Sequence, residues 1–402
     1  MKRRFSNPQF PLLGLPSVLL LHCLSYAVSD FLGAVTISKV CKVLQQYLRQ
    51  SPRLFENVCV SISGNNAASL ANVYPFWQFI HCRAPLTIKS VCPSVVSVRG
   101  SISDNVLLEL RHAPHLRQLK IGPVHSTTLN GLRQALPHLQ QLESLVIPYE
   151  FSIFTDFQLP PRLLSLSVYH LSPSFAVLPI IKLSVRLCPS MTALACCPHL
   201  QSLKIDSSTI VNEVLDFAFL SQLTRLILWV HASFSVPMSL RELSTFQSNE
   251  LIGERPLLQT LKLFKRDVPI DPVPLNYLCS IPTLTEVLFQ GHIHPSTIQI
   301  LASLPAMDSV WLLDANASFN LTLFPRLTSL TILECRRNAR LFDQATNLKT
   351  LLHLAICESD ISDAMLLSLV QQLPSLQRLE IGNCNRVNTA WIRQQCPTVI
   401  IN

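Results

Sequence analysis

The residues best suited to metal or phosphate chemistry in this sequence are cysteine, histidine and glycine, and their spacing builds no such site. The 13 cysteines include no C-x-x-C pair, which is the ligand spacing typical of zinc modules. His292 and His294 have no cysteine or carboxylate partner nearby, and the nine glycines never take the spacing of a phosphate-binding loop. No Ser, His and Asp set stands out as a catalytic triad. We therefore expect a protein that is not an enzyme and uses no metal and no cofactor.

Composition and charge narrow the class of partner. Apolar residues make up 49% of the 402 residues and charged residues only 14%, which favours a large folded core over disorder. The net charge of +8 is spread along the chain. It forms no dense basic stripe with interleaved aromatic residues, so we predict no nucleic-acid partner. No stretch reaches the roughly 18 uninterrupted apolar residues of a spanning helix, so we predict no membrane partner either.

The element that must position any binding residue is a short repeat, L-x-x-L-x-L, in which other apolar residues can replace leucine. The distance from the first copy to the last gives a period of about 22 residues, within the range of leucine-rich repeats. A weaker copy at Val95 precedes the others. Thirteen copies begin at Leu116, Leu142, Leu163, Ile180, Leu200, Leu223, Leu240, Leu258, Leu284, Met307, Leu327, Leu351 and Leu376.

Physical chemistry predicts that these copies stack. The last two apolar residues of each copy alternate on a short strand and share one face. One unit buries too little apolar surface to offset the entropy of ordering about 20 residues, whereas stacked units bury one another's faces. The predicted fold class is α/β, a curved leucine-rich-repeat solenoid of short parallel strands with helical or irregular returns, preceded by a small three-helix unit.

The return segments show helical spacing where they are long. Segments beginning at Ser126, Ser296 and Ser359 place apolar residues on one helix face and close on a proline. Ser362 or Ser359 is a candidate N-cap for the last of them. The 17-residue steps that begin at Leu163 and Leu223 have room for little more than one helical turn.

The amino-terminal segment has two interpretations. Leu15 to Asp30 follows a basic start and ends in small residues, as a secretory signal peptide does. Its apolar residues also fit a short helix, and a second apolar stripe runs from Ile37 to Leu48 at helical spacing. A signal peptide leaves that second stripe unexplained.

This segment resembles the F-box. The matching residues are "LP" at Leu15-Pro16, "LL" at Leu19-Leu20, "LSY" at Leu24 to Tyr26, "VCK" at Val40 to Lys42 and "SPRLF" at Ser51 to Phe55. The repeats behind it are similar to the companion domain of leucine-rich-repeat F-box proteins, with Cys384 at that family's usual cysteine position. We accordingly expect a flexible tail over 1–14, an F-box-like unit over 15–58, a linker or irregular first repeat over 59–94 with "VCVSI" as its strand, and a solenoid over 95–402.

The resemblance implies a substrate-recognition subunit of a Skp–cullin–F-box-type ubiquitin ligase. Its helical unit would bind a Skp-type adaptor, and through it a cullin, while its repeats bind a protein substrate. The protein would be located in the cytoplasm or the nucleus, which agrees with cysteines that are not paired in the sequence. The residues expected to contact the adaptor are Leu15, Pro16, Leu19, Leu20, Leu24, Val40, Cys41, Lys42 and Leu44.

Two alternatives remain open. An exported leucine-rich-repeat binding protein would be cleaved near Ser29 and glycosylated at Asn316 or Asn320. An intracellular repeat scaffold with a degenerate F-box would fold without binding the adaptor. Two departures from the F-box pattern keep the scaffold alternative open. The F-box usually has an acidic residue at the position of Ser17-Val18 and a tryptophan at the position of Leu44.

The repeat register predicts the substrate face. Lys120, Lys204, Lys262 and Trp311 occupy outward strand positions. Aromatic side chains and cations on the concave surface of a solenoid are typical of binding hot spots, and we expect Trp229, Phe246, Phe264 and Trp311 to form one exposed patch. The predicted substrate-binding residues are Tyr169, Trp229, Phe246, Lys262, Phe264 and Trp311.

Overall fold

The computed structural model describes most of the repeat region and part of the chain before it. The described residues are 59–62, 79–86, 96–122, 127–147, 158–171, 178–187, 191–206, 214–230, 232–246, 250–252, 257–264, 281–291, 295–314, 320–334, 339–397 and 399–401. The chain divides into two compact units, Met1–Ile180 and Ile181–Asn402, here called unit 1 and unit 2.

Unit 1 contains a parallel sheet with helices in two of its returns. Its strands pair in chain order, each parallel to the next. They are β1 (Cys59–Ile62), β2 (Phe79–Leu86), β3 (Ser97–Ile102), β4 (Gln118–Ile121), β5 (Ser144–Val146) and β6 (Ser165–Val168). Its described helices are α1 (Asp104–Leu110), α2 (Leu129–Ala135) and a 3-10 helix over Leu136–His138.

Unit 2 contains a longer parallel sheet and a second, small one. Its strands are β7 (Lys182–Val185), β8 (Ser202–Ile205), β9 (Leu215–Asp216), β10 (Arg225–Leu228), β11 (Ser233–Ser235), β12 (Glu242–Phe246), β13 (Glu250–Leu251), β14 (Thr260–Phe264), β15 (Glu286–Gln290), β16 (Ser309–Leu313), β17 (Ser329–Leu333), β18 (His353–Cys357), β19 (Arg378–Gly382) and β20 (Ile400–Ile401). Strands β9, β11 and β13 form the small sheet, and the others pair in order in the large one.

Helices occupy several of the described returns of unit 2. They are α3 (Met191–Ala195), α4 (Pro295–Ser303), a 3-10 helix over Leu321–Leu323, α5 (Ala339–Ala345), α6 (Asp363–Gln372) and α7 (Thr389–Gln395). None of the helices in the described part of the chain is long and apolar enough to cross a membrane.

The leucine-rich-repeat solenoid predicted from the sequence is confirmed. Each of the thirteen predicted copies places a strand that begins two residues after its first apolar residue, from Gln118 after Leu116 to Arg378 after Leu376. The weaker copy at Val95 forms β3, and "VCVSI" contains β1. These strands pair in parallel with consistent register, as stacked repeats require.

Aligned leucines hold successive repeats together. Leu330 pairs in register with Leu354, and Leu354 with Leu379, and none of the three side chains is more than 1% exposed. Burying each such side chain stabilises the fold by about 1.5–3 kcal/mol. In each strand, the residue between two buried residues directs its side chain to the opposite face of the sheet. This alternation is seen in the burial of β4, β8 and β14.

Side-chain capping starts the predicted helices. The Thr128 hydroxyl accepts a hydrogen bond from the Gly131 amide at the start of α2, and the Ser362 hydroxyl accepts one from the Met365 amide at the start of α6. Both contacts satisfy an amide that lacks a partner within the first helical turn. The structure thereby assigns the N-cap of α6 to Ser362 rather than Ser359, which is buried and donates its hydroxyl to the Cys357 carbonyl.

One short return is extended. In the described residues of the 17-residue step from Leu223, strand β11 takes the place of a helical turn and pairs in parallel with β9 and β13. An extended chain advances about 3.3 Å per residue and a helix only 1.5 Å, so a short return spans the repeat only when it is extended. In the other short step, residues 172–177 lie outside the described residues.

Candidate protein-binding surface on the sheet face

The outward side chains of unit 2 form two rows across the sheet. The central row lies between the two buried residues of each strand, and the end row lies two residues further along. Side chains of one row follow each other from strand to strand because the strands pair in parallel register. A row therefore presents one side chain about every 4.8 Å, which is the spacing of paired strands.

Three rings of the end row form an aromatic cluster, consisting of Trp229, Phe246 and Phe264. Trp229 follows β10, and the two phenylalanines are register partners at the ends of β12 and β14. The Trp229 ring centroid lies 5.5 Å from that of Phe246 and 4.4 Å from that of Phe264. All three side chains are half-buried, so the cluster keeps part of its apolar surface open to a partner.

Trp311 lies in the central row instead. Its register partners are Leu288 on β15 and Thr331 on β17, and its side chain is half-buried. Lys262 occupies the same row on β14 and pairs in register with Leu288. The structure thus brings Trp229, Phe246 and Phe264 into contact, and places Trp311 two strands beyond Phe264 in the neighbouring row.

The remaining predicted substrate residues have different surroundings. The Lys262 ammonium lies 3.1 Å from the Glu242 carboxylate, and the Arg225 guanidinium lies 3.2 Å from the same carboxylate. Glu242 therefore joins two cations across β10, β12 and β14. Tyr169 is half-buried after β6 and belongs to unit 1, whereas the other predicted residues belong to unit 2.

Several apolar residues of this face were missed in the sequence. Ile227 and Leu288 extend the central row, and Leu313 and Leu333 extend the end row, where they are register partners. Each is half-buried. The repeat register could have identified these residues, because each occupies the same position in its copy as a predicted aromatic residue. Aliphatic residues were overlooked because their types alone do not distinguish them from the core.

A row of left-handed residues borders this face at the strand ends. Gly291, Asp314, Glu334, Glu358 and Asn383 each follow their strand with φ between 49° and 79°. In the first four, the amide donates to the carbonyl of the last strand residue in the next repeat, as Asp314 does to Leu333 at 3.0 Å. The turn exposes the side chains of Asp314, Glu334 and Glu358, so three acidic residues flank the apolar end row.

A groove lies between α6 and α7. It has a volume of about 540 Å³, and Leu367 and Trp391 are the large apolar side chains that line it. The indole of Trp391 is 36% exposed. The other lining residues are Asp363, Ala364, Ser368, Gln371 and Asn388.

Cys197, Cys384 and Cys396 are buried, and Cys196 and Cys357 are half-buried. Burial, with a smaller contribution from the neighbouring Cys196, raises the pKa of the Cys197 thiol to about 12. Burial also raises the pKa of Cys357 and Cys396. The Cys384 thiol is buried and contacts the carbonyl of Ile356. Within the described ranges, no three His, Cys, Asp or Glu side chains converge as a metal site would require.

The predicted adaptor contacts lie outside the described residues, namely Leu15, Pro16, Leu19, Leu20, Leu24, Val40, Cys41, Lys42 and Leu44. Asn316 of the first possible glycosylation triplet lies outside them too. Asn320 is described and exposed, and its side-chain oxygen accepts hydrogen bonds from the amide and hydroxyl of Thr322.

Comparisons with known proteins give structural matches at low identity only. No family model matches the chain, and no curated protein matches its sequence. Solved structures similar to it include an internalin from Listeria monocytogenes, with 13% identity and a TM-score of 0.38 over 76% of this chain and 96% of that one. A leucine-rich-repeat protein of Leptospira interrogans matches at 14% identity and a TM-score of 0.40, over 89% and 98%. A chain of the Rad7 and Elc1 complex from yeast matches at 16% identity and a TM-score of 0.36, over 92% and 95%.

Proposed function

We propose that this chain is a protein-binding solenoid that serves as the substrate-recognition subunit of a Skp–cullin–F-box-type ubiquitin ligase. The observation that carries the binding role is the half-open aromatic cluster on the sheet face of unit 2, where Trp229 packs against Phe246 and Phe264. The buried leucines account for the core, but the core does not require three large rings on the outward face. Partly exposed aromatic residues often carry much of the binding energy in protein interfaces.

The sheet face suits a protein partner because it presents apolar side chains with polar and charged side chains beside them. The aromatic cluster and Trp311 offer apolar area, and the Arg225–Glu242–Lys262 ion network adds hydrogen-bonding groups beside them. Partner binding would desolvate the rings and leave the ion network at the rim, the arrangement found in specific interfaces. The chain would supply proximity and orientation, while other subunits transfer ubiquitin.

The ligase assignment rests on the amino-terminal resemblance alone. The motif residues from Leu15 to Phe55 match the F-box in order, and an adaptor-bound receptor would act in the cytoplasm or nucleus. In this role the protein carries out no catalysis of its own. The adaptor and the substrate would both be proteins, and they would bind to different parts of the same chain.

Co-purification with a Skp-type adaptor tests this assignment. The variant Leu15→Asp/Pro16→Ala/Leu20→Asp should lose the adaptor while keeping the circular dichroism of the intact chain. A matched control is Trp229→Ala, which should retain the adaptor because it changes the sheet face only. Failure of the folded, uncleaved chain to bind the adaptor would refute the ligase role and favour a repeat scaffold. Loss of the first 29 residues on expression would show an exported protein instead.

A further inference from the structure

The charge of the sheet face changes sign along unit 2. Among the described residues of the large sheet, the first strands of unit 2, with the residue after each, carry mainly cations, and the last strands carry mainly acids. The cations of the first part are Lys182, Arg186, Lys204, Arg225 and Lys262, against Asp206 and Glu242. The acids of the second part are Glu286, Asp314, Glu334, Glu358 and Glu380, against Arg378. An acidic surface on a chain of net charge +8 is a local feature rather than a consequence of composition.

Ion pairs join some of these charges without removing the gradient. Lys204 pairs with Asp206 at 3.1 Å in the basic part, and Arg378 pairs with Glu380 in the acidic part. Glu242 pairs with both Arg225 and Lys262, at 3.2 and 3.1 Å, in the strands next to the aromatic cluster. Towards the acidic end, Asp314 and Glu334 are exposed in left-handed turns, and their side chains make no ion pair with a described cation. Lys182 is exposed at the opposite end.

The distance along this face sets the size of the ligand. Eight strand-to-strand steps separate β7 from β18, which at about 4.8 Å per step amounts to about 38 Å. An extended chain of about eleven residues covers that length at 3.3–3.6 Å per residue. A small molecule would span only two or three strands of it.

We propose that this face binds an extended peptide segment of the partner protein, about eleven residues long and running across the strands. The segment carries acidic residues over β7–β10, apolar residues on the aromatic cluster and Trp311, and basic residues beside Asp314, Glu334 and Glu358. This inference rests on the proposed function, because it names the class of substrate that the solenoid would recognise. Single-stranded RNA fits less well, since its phosphates would be repelled by the acidic end.

Synthetic peptides test the charge order directly. One fluorescein-labelled twelve-residue peptide has four acidic, four apolar and four basic residues in blocks. A second has the same composition with acidic and basic residues alternating around the apolar ones. Fluorescence anisotropy with the full chain should show the block peptide binding at least about tenfold more tightly. Raising the salt concentration should reduce that difference, because salt screens exposed charges.

Two single-charge variants locate the effect. Glu334→Asn removes one acid of the sheet face and suits the left-handed turn, so the fold is retained. Asp343→Asn removes one exposed acid from α5 of the same repeat, away from the strands. We expect Glu334→Asn to weaken block-peptide binding about threefold and Asp343→Asn to leave it unchanged.

Equal binding of the two peptides would overturn the proposal, as would equal effects of the two variants. Tighter binding of a labelled oligouridylate than of the block peptide would overturn it too, in favour of RNA. The adaptor co-purification is measured on the same preparations. A chain that binds the adaptor and does not distinguish the peptides refutes only the charge order, and leaves the ligase assignment standing.

Discussion

The indole of Trp229 lies 4.4 Å, centroid to centroid, from the ring of Phe264 at an angle of 59°, although strand β12 separates the strands to which they belong. Phe246 on that intervening strand contacts the same indole edge-on at 5.5 Å. One large ring therefore bridges three repeats on the outward face. Repeats of this solenoid are joined on both sides of the sheet, by aligned leucines inside and by the aromatic cluster outside.

Replacing Trp229 should weaken both stability and partner binding. Each aromatic contact contributes about 0.5–1.5 kcal/mol beyond burial, so Trp229→Ala should lower the free energy of unfolding by about 1–3 kcal/mol. Trp311→Ala is the matched control, since Trp311 makes no ring contact with a described aromatic residue and should lower stability less. Urea denaturation followed by circular dichroism measures both. Equal losses from the two variants would argue against a bridging role for Trp229.

Replacing Gly131 by alanine should change the stability of the chain in the direction opposite to that expected from helix propensity. Alanine is about 1 kcal/mol better than glycine inside a helix, yet a Cβ at Gly131 would lie 2.1 Å from the Asp104 Oδ1 atom. That carboxylate cannot move freely, because it accepts hydrogen bonds from the amide and hydroxyl of Thr128, at 2.7 and 2.6 Å. We expect Gly131→Ala to destabilise the chain by about 1–3 kcal/mol.

A double variant separates this clash from other effects of the methyl group. Asp104→Gly removes all three Asp104 atoms that the new Cβ would meet, together with the two hydrogen bonds, and should itself destabilise the chain. Adding Gly131→Ala to it should then cost little or be favourable, giving a strong non-additivity in thermal or urea unfolding. Strict additivity of the two substitutions would show that the carboxylate and the glycine do not meet.

The left-handed turns predict stabilising substitutions. Glu334 and Glu358 adopt φ of 57° and 51°, a region that side chains other than asparagine and aspartate rarely adopt. Because asparagine tolerates this region better, Glu334→Asn and Glu358→Asn should each raise the free energy of unfolding by about 0.5 kcal/mol. Asn383→Val is the reverse test at φ 52° and should lower it by about 1–2 kcal/mol. Stabilisation by Asn383→Val would contradict the assigned turn.

Thiol reactivity should follow burial. The pKa of Cys197 is about 12, so fewer than about one in a thousand of its side chains are thiolate at pH 8.5. Iodoacetamide should therefore alkylate Cys197 at least about a hundredfold more slowly than a free cysteine, which is half ionised there. Peptide mapping by mass spectrometry over time gives the rate. Rapid alkylation in the folded chain would show that this cysteine is not held in the core.

The repeat could be predicted from sequence because its signal is local and repeated. Each L-x-x-L-x-L copy specifies its own strand. Where one copy is irregular, the spacing of the other copies still shows where its strand should lie. The extended returns β9, β11 and β13 were not predictable in the same way. Each is two or three residues long, and its strand conformation depends on pairing with a neighbouring return rather than on its own residues.

The sheet face was predictable only in part for a related reason. Register alone places Trp229, Phe246 and Phe264 at equivalent positions in their repeats, so their proximity follows from counting. The contribution of Leu288, Leu313 and Leu333 does not, since a leucine within a strand of this repeat is expected to belong to the core. The gradient from Lys182 to Glu380 also required the strand order, because sequence distance mixes sheet-face charges with those of the helices.

The central claim is that one end of the chain binds the adaptor and the sheet face of unit 2 binds the substrate. Quantitative affinity purification from cells, comparing the intact chain with Trp229→Ser/Phe264→Ser/Trp311→Ser at equal expression, tests it most directly. We predict equal recovery of the Skp-type adaptor with both chains, and a set of further proteins recovered at least about tenfold more with the intact chain. Identical sets of proteins recovered with a folded variant would contradict the account.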